Sequence, residues 1–340
     1  MPERHALVTG GAGFVGSELV RQLVADGWRV TVLDDLATGR HENLAELPAE
    51  RCTLVVGDVR DRTLVARLLA DAPVLFHLAC LGVRHSLVFP RENGDVNAGG
   101  TLSVLEAAHA VGVARVVHVS TSEVYGSAVR EPMDEEHPTA PTTVYGASKL
   151  AGEAYARAFH ASFGLPVVAV RPFNAYGPRA HHEGLAGELI PRFLLRALAG
   201  RPLPIFGDGE QSRDFTYVAD TARGIRLAAT ADGVVGTTLN LGSGRALTVH
   251  ALVEAIATAL GGAALRVEHG PPRPGDVRRL RADAGRAAER LGWTPTVGLE
   301  DGLVRTLTWY RDLAAARACL LEDEVPRAWE RPAPAVAVVS

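Results

Sequence analysis

Thr9-Gly10-Gly11-Ala12-Gly13-Phe14-Val15-Gly16 stands between an apolar run, Ala6-Leu7-Val8, and a stretch of helical periodicity over about 14–26. Glycines at 10, 13 and 16 permit a tight turn and let a backbone come close to a ligand. A helix opening directly behind such a turn presents free N–H groups and the positive end of its dipole, which suits a pyrophosphate. A lone glycine triplet is explained as well by a plain strand-to-helix turn. Here a second strand, Arg29–Leu33, runs into Asp34-Asp35 at the spacing of about 20 residues expected of a dinucleotide fold. A carboxylate there can accept a bond from a ribose 2′-hydroxyl and repels a 2′-phosphate, so the cofactor read from the sequence is NAD rather than NADP. Gly57-Asp58-Val59 closes a third strand, which places Asp58 and Val59 beside the adenine. The plainer reading of Asp58 is a loop cap.

Outward from this unit the first half alternates short apolar runs with amphipathic stretches. Strands are expected at Leu54-Val55-Val56, Val74–Leu78, Val116–Val119 and Pro166–Val170, and helices near 61–70, 98–111 and 144–163. Near-continuous Val and Leu in strands separated by helices is the pattern of a parallel sheet covered on both faces. After Pro172 glycine and proline break the rhythm, and two helices follow, near 248–260 and 299–314. The expected fold class is α/β, a Rossmann-type doubly wound parallel sheet with a smaller C-terminal α/β substrate lobe. Residues 1–171 would form the dinucleotide-binding domain, with later segments returning to it, and 172–326 the second lobe. Residues 327–340, rich in Ala, Pro and Val, are expected to be a disordered tail. Ligands would bind between the lobes, at the carboxyl ends of the strands.

The bulk composition narrows the function classes. A chain of 340 residues with 47% hydrophobic and 22% charged residues can bury a full core. A net charge of −4 offers no global attraction to nucleic acid or an anionic membrane. Three cysteines without metal-ligand spacing fit a reducing cytosol, and no bilayer-spanning run or leader peptide is expected, so the expected location is cytoplasmic.

Lys149 is the one lysine in the sequence; the other 34 basic residues are arginine. Arginine replaces lysine on most surfaces, but not where a compact point charge must act. Tyr145 and Lys149 are spaced i, i+4, so on a helix they share a face. There the ammonium would favour the phenolate and make Tyr145 a base. The plainer alternatives are a lysine on a solvated face and a helix-packing aromatic.

These residues lie within a longer ordered set: His77-Leu78-Ala79-Cys80, Asn97-x-x-Gly100-Thr101, Ser120-Thr121-Ser122-Glu123-Val124-Tyr125-Gly126, Tyr145-x-x-x-Lys149, Arg171-Pro172-Phe173-Asn174-x-Tyr176-Gly177-Pro178-Arg179 and Gly207-Asp208-Gly209-x-Gln211-x-Arg213-Asp214-Phe215. From about residue 4 to 315 the chain resembles the extended short-chain dehydrogenase/reductase family, in its nucleotide-sugar epimerase/dehydratase branch. The resemblance implies a cofactor site of Gly10, Gly13, Phe14, Val15, Gly16, Asp34, Asp35, Asp58, Val59, Leu78, Ala79 and Asn97, with Tyr145 and Lys149. It makes Tyr145 the base, Lys149 its electrostatic partner and Thr121 the hydroxyl that holds the reacting sugar oxygen. A free phenol has a pKa of about 10, so bringing it to about 7 needs roughly 4 kcal/mol. The ammonium and a positive nicotinamide ring together could supply that.

Dehydratases of the branch place Asp-Glu after the threonine; here the pair is Ser122-Glu123. The missing aspartate argues against dehydration, whereas Thr-Ser-Glu-Val-Tyr-Gly resembles UDP-glucuronate decarboxylases. The stretches Asp34–Arg40 and Phe173–Arg179 look more like 4-epimerases. The expectation is therefore a UDP-sugar 4-epimerase, with a decarboxylase, a 4,6-dehydratase and a non-catalytic NAD sensor as the alternatives. The resemblance puts Arg213, Arg273, Asp276 and Asn174 around the diphosphate and ribose, and Leu189 beside the base. Arg84 and Ser86, in Gly82-Val83-Arg84-His85-Ser86, and Arg179 and Arg192 are candidates to face the sugar, where an arginine could pair with a C6 carboxylate. The plainer reading of each arginine is outer-surface solvation. UDP-glucuronate/UDP-galacturonate is the first expectation for the sugar and UDP-glucose/UDP-galactose the second. The family also implies a homodimer through the helices near 98–111 and 144–163.

Overall fold

Strand β1 (His5–Thr9) is buried at all five positions. Its side chains alternate, so Ala6 and Val8 enter one apolar core and Leu7 the other. A strand apolar on both faces must be covered on both, and the computed structural model, which describes residues 4–316 and 320–322, has that arrangement. Strands β1, β2 (Arg29–Asp34), β3 (Cys52–Val56), β4 (Val74–His77), β5 (Arg115–Val119) and β6 (Val167–Pro172) pair in parallel. A seventh strand, Thr238–Leu241, pairs in parallel with β6, so chain beyond 171 rejoins the sheet. The spatial order is Thr238–Leu241, β6, β5, β4, β1, β2, β3. The order reverses between β1 and β4, which opens a crevice at their carboxyl ends.

One face of the sheet carries α1 (Phe14–Ala25) and the helix Val218–Thr230, with Leu19, Leu23, Phe76 and Ile225 fully buried. The other carries α2 (Arg62–Leu69), α5 (Thr101–Val111) and α6 (Val144–Phe163), with Leu75, Val104 and Val116 at their centre. Each such side chain contributes roughly 1.5–3 kcal/mol by leaving water. Between β4 and α5 the chain forms two short helices, α3 (Val83–Ser86) and α4 (Pro90–Gly94), and then a π-helical stretch, Asp95–Gly100. The sequence pattern started a helix near 98; the observed turn begins at Pro90, whose fixed φ suits a first helical position.

Helix α6 has both ends satisfied. The Thr143 hydroxyl accepts a bond from Gly146 N at 3.1 Å, and Gly164 closes the helix with φ +69°. Its inner face reads Gly146, Lys149, Gly152, Glu153, Ala156. Glycine at 152 suits close packing, since a β-carbon there would crowd the Thr101 side chain at 3.1 Å.

The remaining strands form two small sheets. Ser212–Tyr217 lies parallel to Asn174–Tyr176 and antiparallel to Ala246–Thr248, and Leu203–Phe206 pairs with Val267–Gly270. Phe193, Leu194, Leu252, Ile256 and Tyr310 are buried beneath them. The two later helices expected from the sequence are Val249–Ala259 and Leu299–Ala316, but Leu189–Leu198, Val218–Thr230 and Gly285–Leu291 are helical too. Residues 327–340 lie outside the described residues. Among the described residues no helix is long and apolar enough to cross a membrane.

Candidate active site

The turn from β1 into α1 forms one wall of a large cleft at the carboxyl ends of β1 and β4. Gly10 has φ +70°, and a β-carbon on it would lie 2.6 Å from Ala79 N. A β-carbon on Gly16 would lie 2.1 Å from Gly10 O. The turn is thus pressed against the end of β4, and side chains are excluded from the floor beneath α1. Gly13 caps α1 without a side-chain bond, so the first-turn N–H groups stay available to an anion. Asp34 accepts bonds from Ala12 N and Leu36 N, both at 2.9 Å. Burial pushes this carboxyl up, and the two N–H groups oppose the shift. Gly13, Phe14, Val15, Asp35, Val59 and Leu78 line the cleft beside it. A floor without side chains, a free helix N-terminus and a carboxylate at the end of β2 fit an adenine dinucleotide.

Further along the cleft, Thr121, Ser122, Glu123, Tyr145 and Lys149 all face it. Thr121 leaves β5 and caps a single 3-10 turn, its hydroxyl accepting from Glu123 N at 3.2 Å. Burial pushes the Tyr145 phenol well above its ordinary value, the Cys80 thiol adds to this, and the Thr121 hydroxyl opposes it. Lys149 is 2% exposed and donates to Val119 O at 2.6 Å. Burial lowers its pKa, with Cys80 and Glu153 opposing. The helix brings both to one face as expected, and the buried ammonium takes the carbonyl at the end of β5 rather than the phenol; the expected lowering of the phenol's pKa is outweighed by burial in the protein alone. An ammonium has three donors, so two remain. Burial also raises the pKa of Glu123, while Arg213 and Arg273 lower it.

The far end of the cleft is rich in arginine. Arg213 donates to Asp276 Oδ1 at 2.6 Å, and Arg273 pairs with the same oxygen. Asn174 faces this region with a buried Oδ1 that has no partner, and Leu189 lies nearby. Arg192 donates to Gly184 O at 2.6 Å. Arg84 is half-buried and lines the cleft, but no hydrogen bond or ion pair of its side chain is formed with the described residues. Burial holds its pKa well below the usual arginine value, the Arg192 and Arg273 cations push it further down, and Glu188 and Asp276 oppose.

Four expected site residues lie elsewhere. Arg179, with φ +68°, is turned to α1, where it pairs with Glu18 at 2.5 Å and reaches Ser17 Oγ at 3.3 Å. Ser86 donates to Val83 O at 2.7 Å and stays inside α3. Asp58 is chelated by Arg60 on the outer surface, which lowers its pKa. Asn97 is 1% exposed and binds both backbone groups of Leu81, at 2.8 and 3.0 Å. The stretch 179–192, which the family resemblance lays over the sugar, does border the cleft in part, and only its tie to the loop after β2 had no sequence signal. Residues 181–188 cross the cleft, with His181 and Glu188 lining it, and Arg40, from the loop after β2, pairs with Glu183. Arg40 and Glu183 are 143 residues apart, and no periodicity links them.

Residues 7–306 match the family model described as GDP-mannose 4,6 dehydratase. The chain belongs to that family, within the extended short-chain dehydrogenase/reductases. A UDP-glucose 4-epimerase of Mycolicibacterium smegmatis is 40% identical over 313 residues, covering 91% of this chain and 99% of its own. The structure of a UDP-glucose 4-epimerase from Thermotoga maritima with UDP-glucose superposes with a TM-score of 0.85 at 34% identity, over 91% of this chain and 99% of that one. That of a dTDP-glucose 4,6-dehydratase from Streptomyces venezuelae with NAD bound gives 0.87 at 38% identity, over 93% and 99%. Members of this family are NAD-dependent nucleotide-sugar enzymes, and similarity to this chain extends to epimerases and dehydratases alike.

Proposed function

We propose that this family member is an NAD-dependent UDP-sugar 4-epimerase whose sugar is a hexuronate, so that it interconverts UDP-glucuronate and UDP-galacturonate. Arg84 carries the sugar assignment. An unpaired guanidinium in a low-dielectric cleft wants an anion, and a fork-shaped donor suits a carboxylate. The diphosphate is left to Arg213 and Arg273, which Asp276 holds together. Ser122 supports epimerisation over dehydration, because a hydroxyl cannot replace the acid that water loss at C6 requires.

Thr121 holds the sugar O4 and Tyr145 removes its proton, a role that needs the positive nicotinamide ring together with Lys149 to offset the burial that raises the phenol's pKa in the protein alone. The bound dinucleotide would take a hydride from C4 and return it. The Gly10–Gly16 turn, Asp34 and the two remaining donors of Lys149 would hold that dinucleotide. Inversion then needs only that the 4-keto sugar turn before hydride returns. Such a ketone is a β-keto acid and loses CO2 when its carboxylate bond aligns with the carbonyl π system. Arg84 clamps the carboxylate out of that alignment. Glu123, whose carboxyl burial pushes above its ordinary pKa, follows Ser122 as in the decarboxylases and favours that enzyme as the second reading. Residues 172–326 serve in this account as the sugar-nucleotide lobe. A homodimer through α5 and α6 is supported by Val111, Tyr155 and Phe163, which are 39%, 37% and 57% exposed on them.

The test is Tyr145→Phe. The variant should bind NAD as the wild type does and lose about 10²–10⁴ in turnover, the usual contribution of a positioned acid–base group. Undiminished turnover on either UDP-glucuronate or UDP-glucose would sink the assignment.

A further inference from the structure

Asn93 belongs to no motif of the sequence and lines no part of the cleft, yet it is fully buried, at 0% exposure. It lies on α4, just before the π-helical stretch, at i, i+4 from Asn97. Its Nδ2 donates to Leu81 O at 2.9 Å and to Gly82 O at 3.2 Å. Its Oδ1 receives Asn97 Nδ2 at 3.1 Å and lies 3.3 Å from Ser148 Oγ. Ser148 is the residue before Lys149, and its hydroxyl donates to Tyr145 O at 2.9 Å. Every polar atom of the Asn93 side chain therefore has a partner: Nδ2 the loop that leads into Arg84, and Oδ1 Asn97, with the Ser148 hydroxyl of the helix that carries Tyr145 beside it.

A buried amide holding three bonds, with a fourth polar group beside it, is costly to break, because each abandoned partner would stay desolvated. An apolar residue of the same shape would fill the space between α4 and α6 as well. What Asn93 adds is direction. Leu81 is irregular backbone after β4, and its carbonyl is held by the side chains of Asn93 and Asn97, while the Gly82 carbonyl takes Asn93 together with Ser86 N at 3.2 Å. The wide turn of the π stretch lets Asn93 and Asn97 both grip the peptide unit at Leu81 O, and π turns of this kind are frequent at functional sites.

We infer that Asn93 is a positioning residue for the reaction: it clasps the Leu81–Arg84 loop to the Tyr145–Lys149 face of α6 and so fixes where the sugar is held relative to the base. The inference rests on the reading of Tyr145 as that base. Asn93 touches neither substrate nor dinucleotide and acts through Ser148 on one side and Leu81 and Gly82 on the other.

Two variants separate the ends of the clasp. Asn93→Leu removes every bond of that side chain while keeping the volume, and Ser148→Ala cuts the helix end, where Ser148 Oγ also accepts from Asn97 Nδ2 at 3.1 Å. A displacement of about 1 Å at a reacting centre costs on the order of 10²-fold in rate. The expected result is a kcat lower by about 10–100-fold for Asn93→Leu, with KM for the UDP-sugar and the Kd for NAD within about threefold of wild type. A loosely held 4-keto sugar should also escape more often, leaving a larger fraction of the protein's cofactor reduced at the end of turnover. Because both residues act through one clasp, the double variant should lose less than the sum of the two single losses. Wild-type kcat in Asn93→Leu, or fully additive losses in the double variant, would overturn the inference. Should Asn93→Leu fail to fold, Ser148→Ala still decides: wild-type kcat and an unchanged reduced-cofactor fraction would reject the clasp. Tyr145→Phe run beside them keeps the two readings apart. If it turns over normally the base assignment fails; if it is dead while Asn93→Leu is unimpaired, only the clasp fails.

Discussion

Replacing Arg84 with methionine should improve the fold and damage the chemistry. The guanidinium is half-buried, faces the cleft and lies in the field of two other cations, Arg192 and Arg273. Its charge is unpaired, so removing it while keeping an apolar stem of similar length should stabilise the protein by on the order of 1 kcal/mol. In a chain of this size that raises Tm by about 2 °C. With a hexuronate bound, the same group would form charge-assisted hydrogen bonds worth about 1.5–3 kcal/mol. Losing them corresponds to a fall in kcat/KM of roughly 10–150-fold, at about 1.4 kcal/mol per factor of ten. Arg84→Lys should fall between, since it keeps the charge but not the fork. The assay is steady-state kinetics on UDP-glucuronate and UDP-glucose with each variant, together with a thermal melt. The neutral sugar should be nearly unaffected by Arg84→Met. Equal losses on both sugars would refute the carboxylate role, and a lower Tm would refute the claim that the charge is unsatisfied in the free protein.

Two further outcomes follow from buried groups away from Arg84. His77 and His118 are 1% and 0% exposed, and burial holds both well below the ordinary histidine pKa. A depressed folded-state pKa means that their stability is fully present above the unfolded value of about 6.5 and is lost as pH falls below it, by up to about 1.4 kcal/mol per pH unit for each. Urea midpoints taken between about pH 7.5 and about pH 5 should show that slope, and His118→Leu, whose imidazole nitrogens have no partners, should roughly halve it. A flat profile would contradict the burial argument. Asp34→Asn should keep the turn but lose much of the discrimination against a 2′-phosphate, narrowing the NAD to NADP affinity ratio by about tenfold; an unchanged ratio in a binding titration would move the selectivity elsewhere.

Much of this was legible in the sequence for a physical reason. Strand β1, the glycine turn and Asp34 are specified by local chemistry: unbroken burial, positive φ and a carboxylate at a strand end. Tyr145 and Lys149 were found because helical spacing alone puts both on the inner face of α6. What failed were statements about direction in loops. Arg179 and Ser86 were assigned to the sugar from their place in a motif, but Glu18, 161 residues away, claims the one and the carbonyl of Val83 the other. The partner of Lys149 is a main-chain carbonyl, to which sequence is blind. The helix at Val218–Thr230 was missed because Asp220, Arg223 and Arg226 interrupt its apolar stripe; Asp220 is in fact buried and caps Thr296 N and Val297 N, at 2.8 and 2.9 Å. Asn93 had no signal at all, since its role depends on three segments meeting.

The most direct test of the chemistry is to follow the hydrogen at C4. UDP-glucuronate carrying deuterium at C4 would be turned over in ordinary water and the products read by NMR. Removal of the O4 proton by Tyr145, with hydride leaving and returning within one closed site, predicts UDP-galacturonate that keeps the label at C4, keeps C6 and has the C4 configuration inverted. Deuterium found elsewhere, or a pentose product with CO2 released, would contradict the account.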